Sequence, residues 1–128
     1  MIRIVAMLAV LCLSACSGPT PRSLDELVVR DQTYLDPETL EPYSGPVFRS
    51  FPSPDEGVQV RATLRDGTWE GLLTVYHPTG RVRLQGEMSA GAQCGGWVED
   101  DRPTAPESLY EEIKQDLESI VMYPACPE

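Results

Sequence analysis

Histidine is almost missing from this chain of 128 residues; His77 is the only one. That shortage excludes His-rich metal sites and most His-dependent catalysis. Cations are scarce too. Ten Lys and Arg stand against 20 Asp and Glu, a formal net charge of −10. A nucleic-acid footprint needs a basic face, so no DNA or RNA partner is expected. No long apolar run lies beyond the start of the chain, which excludes a multi-span membrane protein. The glycines recur at turn spacing rather than ahead of a helix, so there is no phosphate-binding loop. No Ser or Cys has a His/Asp partner at a recognisable spacing. The expectation is a single small domain with no enzymatic activity, no metal and no cofactor.

The apolar start is an address rather than structure. Arg3 is followed by the uncharged stretch Ile4 to Leu13 and then by Leu13-Ser14-Ala15-Cys16. The stretch is too short for a mature span, which needs about 20 apolar residues. Leu-Ser-Ala-Cys resembles the bacterial lipobox, which implies cleavage after residue 15 and lipid attachment at Cys16. Two or more acyl chains give stable anchoring at about 0.8 kcal/mol per buried CH2. Ser17 in place of Asp favours the outer membrane of a Gram-negative host, so the expected location is the cell envelope. Losing residues 1–15 removes Arg3 and no acid, taking the charge from −10 to −11. Residues 16–24 read as the lipidated Cys and a flexible tether. From Ser17 to Ser23 that tether reaches at most about 25 Å.

Strand and turn signals run through residues 25–98. Val58 to Leu64 and Val82 to Met88 alternate apolar and polar, which gives one buried and one wet face. Asp66-Gly67 is a tight-turn signal. Pro78-Thr79-Gly80 separates Leu72–Tyr76 from Val82–Met88, a hairpin pattern. An earlier hairpin is expected around Asp31-Gln32, between Leu27–Arg30 and Thr33–Leu35.

The chain also repeats itself. A shift of 24 residues carries Val58, Val60, Ala62 and Leu64 onto Val82, Leu84, Gly86 and Met88, and Gly67 onto Gly91. A shift of 26 carries Tyr43-Ser44-Gly45 onto Trp69-Glu70-Gly71. Val47, Leu73 and Trp97 each stand two after a glycine. A unit of two strands and two turns cannot bury its face alone, so hairpins must stack into one twisted sheet.

Residues 99–128 change character. Glu99-Asp100-Asp101 reads as a solvated charged linker in preference to a calcium site. Leu109, Ile113, Leu117, Ile120 and Val121 predict an amphipathic helix over 106–122, with Thr104 and Glu107 as a capping box and Pro124 as its stop. Its apolar side is expected on the sheet. With Cys16 taken by lipid, Cys94 and Cys126 form an even pair in an oxidising compartment, which favours a disulfide over two thiols held apart. The fold class is therefore mainly β, antiparallel hairpin repeats in one sheet, with one C-terminal helix.

Glu41-Pro42-Tyr43-Ser44-Gly45, Asp66-Gly67 with Glu70-Gly71, and Val75-Tyr76-His77-Pro78-Thr79-Gly80 with Gln85-Gly86-Glu87 resemble the bacterial variant of MORN repeats. These occur in proteins often labelled antitoxin components of toxin–antitoxin pairs or membrane-binding proteins. The resemblance covers roughly residues 27–98. Leu73 and Val47 stand where the family has Trp, Thr79 where it has Asn, and Met88 where it has an aromatic. The resemblance implies a protein-interaction or structural module. With the lipobox, that gives an envelope lipoprotein with an envelope protein as partner. A glycan- or peptidoglycan-binding module and an antitoxin or immunity protein are the alternatives. Trp69, Tyr76 and Trp97 are the candidate binding surface, though repeat aromatics more often pack. His77 is expected to be a solvated turn residue.

Overall fold

The computed structural model describes residues 18–128; the signal segment and Cys16 lie outside them. Ten strands and one helix follow in order: β1 (Arg22–Ser23), β2 (Val28–Arg30), β3 (Thr33–Leu35), β4 (Gly45–Ser50), β5 (Val58–Arg65), β6 (Thr68–Trp69), β7 (Gly71–Tyr76), β8 (Val82–Ser89), β9 (Ala92–Glu99), α1 (Leu109–Glu118) and β10 (Ile120–Met122). The fold is mainly β with a single C-terminal helix. The main sheet runs β1-β4-β5-β7-β8-β9-β10, with β6 also on β5, while β2 and β3 form a separate hairpin. Pairing is antiparallel throughout, except that β1 joins β4 in parallel. Arg22 and Ser23, expected in the tether, thus belong to the sheet, and Leu24 behind them is buried in its core.

The repeat is visible in the register. Gly45 faces Leu64 and Val47 faces Ala62. In the next unit Gly71 faces Met88 and Leu73 faces Gly86. A bulge falls between Arg49 and Ser50 and again between Val75 and Tyr76. The turns repeat as well. Asp66-Gly67 (φ 51° and 79°) and Ala90-Gly91 (φ 47° and 83°) both take the left-handed conformation that a tight hairpin of matching twist requires. Each is tied to the unit before it. Asp66 N–H donates to Ser44 Oγ and Gly67 N–H to Tyr43 O, at 2.9 and 2.8 Å. Ala90 N–H donates to Glu70 Oε2 and Gly91 N–H to Trp69 O, at 2.8 and 3.0 Å. Successive hairpins are therefore locked by the same two bonds. Gly67 also admits the β2–β3 hairpin, because a Cβ there would lie 2.7 Å from Tyr34 O and strike the Thr33 methyl.

The core is one face of this sheet: Val47, Ala62, Leu64, Leu73, Met88 and Trp97, covered by Leu24 and Leu27 from the N-terminal segment. The three residues that stand two after a glycine, Val47, Leu73 and Trp97, are all in it. The disulfide joins Cys94 to Cys126 and so ties the tail to β9.

The C-terminal segment departs from expectation. The helix covers Leu109–Glu118 rather than 106–122. Its cap is Ser108, whose Oγ accepts from Glu111 N–H at 3.2 Å, rather than Thr104 with Glu107. After Ser119 the chain extends, and Ile120–Met122 pair with Val98, Trp97 and Gly96. The free edge of β9 offers these β-favouring residues a ladder that continued helix cannot. Val121 turns inward beside Trp97 while Ile120 and Met122 remain exposed.

Candidate interaction surface

α1 buries the side opposite to the one its apolar spacing predicts. Leu109, Tyr110, Ile113 and Leu117 are 70%, 73%, 52% and 68% exposed, while Gln115 on the opposite side is 5% exposed. The helix does not lay its apolar side on the sheet. It docks through its polar side.

The cause is a buried carboxylate. Asp100 was expected in a solvated linker, yet only 7% of it is exposed. Its Oδ1 accepts from the Arg102 backbone N–H and from Arg102 Nε, both at 3.0 Å. Its Oδ2 accepts from Gln115 Nε2 at 2.7 Å. Arg81 approaches the same oxygen at 3.6 Å. Arg102 Nη2 reaches on to Gln115 O and Ser119 Oγ. A buried carboxylate with these donors is too costly to strip, so it dictates the docking face and turns the apolar stripe outward. Glu99 and Asp101 are exposed, but Glu99, expected in the linker, is the last residue of β9 and pairs with Leu84.

His77 is likewise buried. It is 7% exposed rather than solvated, and its Nε2 lies 2.6 Å from Asp100 O. A carbonyl only accepts, so Nε2 carries the proton and donates. His77 thereby fastens the turn after β7 to the residue that follows β9.

Burial pushes the Asp100 carboxyl up. The backbone N–H and guanidinium of Arg102 and the Gln115 amide outweigh this and hold it below its ordinary value of 3.8. A depressed carboxyl contributes stability above its ordinary pKa and loses it as the pH falls through the lower folded value. Acidification below about pH 4 is therefore expected to loosen α1 before the sheet melts. Amide protection factors should show this. Protection over residues 109–118 that falls no sooner than that of β7 and β8 would contradict it.

The three aromatics do not form one platform. Trp97 is 1% exposed and belongs to the core, so it is no part of a binding surface. Trp69 packs edge-on against Tyr34, with ring centroids 5.2 Å apart. The two line a cleft of about 570 Å³ with Val29, Gln32, Thr68 and Gly91. Tyr76 lies apart, in a shallow groove with Arg61, Thr63, Leu72 and Gln85. Among the described residues, no group of three or more His, Cys, Asp or Glu side chains is placed to hold a metal ion. No helix among them is long and apolar enough to cross a membrane.

The exposed helical stripe was missed from sequence, although its apolar spacing was plain. The stripe faces outward because Gln115 on the other side is buried against Asp100, and no periodicity announces the burial of that polar residue. Compared with known proteins, the chain matches no family model, no curated protein and no solved structure.

Proposed function

We infer that this chain is a lipid-anchored lipoprotein of the bacterial cell envelope, non-enzymatic, whose MORN-like repeats carry a protein-interaction module. The observation that carries the interaction is the apolar side of α1, held away from the sheet by Asp100. A monomer gains nothing by presenting four large apolar side chains to water on one helical side, and such patches mark binding surfaces. The anchoring rests on Leu13-Ser14-Ala15-Cys16 and on Gly18 to Pro21, which precede β1 and make a short leash. With the leash this short, the module stays close to the membrane that holds it.

Cys16→Ser tests the anchor. The substitution is expected to move the protein from the membrane fraction to the soluble fraction, because no acyl chain remains to hold it. Unchanged partition on fractionation would remove the lipoprotein reading. A glycan-binding role finds support in the Tyr34–Trp69 cleft, where an aromatic edge adjoins polar side chains. Under that alternative, Trp69→Ala would abolish co-sedimentation with purified peptidoglycan.

A further inference from the structure

The outward side of α1 suits one kind of occupant. Leu109, Ile113 and Leu117 recur every four residues, and Tyr110 widens the stripe. At about 100° per residue, Glu112 and Asp116 line one border, and Glu118 lies past Lys114 on the other. Lys114 is the single cation of the helix. The surroundings repeat the sign. Residues 99–128 hold nine carboxylates and two cations, Arg102 and Lys114. Arg102 is already engaged with Asp100 and Glu118. Among the described residues, no ion pair neutralises Glu107, Glu112 or Asp116.

We propose that this side of α1 docks a cationic amphipathic segment of another protein. The segment's apolar residues meet Leu109, Ile113 and Leu117, and its Lys or Arg residues meet Glu112 and Asp116. The proposal deepens the interaction-module reading and rests on it. Charge decides among the occupants. A second copy would bring an identical acidic border against this one, and like charges in juxtaposition are costly. An anionic lipid surface has the same sign, and helices that lie in membrane interfaces carry Lys and Arg on their polar side, which α1 does not. A basic amphipathic partner gains from both the stripe and its border.

The test uses the full chain in its native cells, with photoreactive p-benzoylphenylalanine replacing Tyr110 or, in a parallel strain, Tyr76. Illumination at position 110 is expected to join the chain to a different protein. The joined peptide, sequenced by mass spectrometry, should carry Lys or Arg on one helical side and apolar residues at i and i+4 on the other. Glu112→Lys with Asp116→Lys should cut that adduct roughly tenfold without changing the level of the chain. A self-adduct, a lipid adduct, an adduct to an acidic or uncharged segment, or indifference to the charge reversal overturns the proposal. Protein adducts from 76 with none from 110 overturn this docking face and leave the module standing. Silence at both positions removes both.

Discussion

Trp97→Ala is expected to lower the unfolding free energy by about 3–5 kcal/mol. Trp97 is among the largest fully buried side chains. Its Nε1 donates to Cys94 O at 3.0 Å, so the one polar atom of the ring is satisfied. Tyr123 meets it edge-on at 6.0 Å, which fixes the tail against the sheet. The ring lies directly over Gly86, where any Cβ would collide with the indole. The pair is complementary: the largest side chain of the core sits where the repeat supplies no side chain. Gly86→Ala should therefore destabilise through overpacking, by about 1–3 kcal/mol. Urea denaturation of the Cys16→Ser chain, followed by circular dichroism, measures both. A loss below about 1 kcal/mol for Trp97→Ala would show that the ring is not the centre of packing.

Cys126→Ser is expected to cost about 3–4 kcal/mol under oxidising conditions. The bridge closes a separation of 32 residues, which contains all of α1 and β10. In the chain-entropy account the gain comes from restricting the unfolded chain. Two backbone bonds, Gly95 N–H to Pro124 O and Tyr123 N–H to Gly95 O, hold the same corner without it. The variant should therefore keep β10 in place while melting earlier. Reduction of the parent chain should reproduce the variant's melting temperature. Equal stability of the reduced and oxidised chains would contradict the expectation.

The strands were legible because each has a wet side. In β5 and β8 the alternation places Ala62, Leu64 and Met88 inward and Arg61, Arg65 and Glu87 outward. The turns were legible where chemistry announces them, as at Asp66-Gly67. They were legible at Ala90-Gly91 through the repeat, since Ala90 alone suggests no left-handed backbone. The C-terminal segment was misread because its apolar period is real but its burial is set elsewhere. Asp100, Arg102 and Gln115 come together from both sides of a proline-rich stretch, and no local pattern shows that they meet. The same limit hid His77, whose partner lies 23 residues away. The parallel pairing of β1 was also out of reach. Arg22 and Ser23 look like tether until Arg22 Nη1 is seen bound to Asp36 at 2.8 Å, with Leu24 filling the core.

The last strand has a further consequence. The hairpin array could grow at the outer rim of β9, where a further strand would find free N–H and C=O groups. Ile120–Met122 occupy that rim instead. They act as a stopper, and the stopper is continuous with α1. A shortened chain lacking them would offer a bare ladder on which strangers, or its own siblings, could polymerise. The edge stopper and the exposed helix are thus one stretch of polypeptide, so a C-terminal truncation that removes α1 takes the stopper with it.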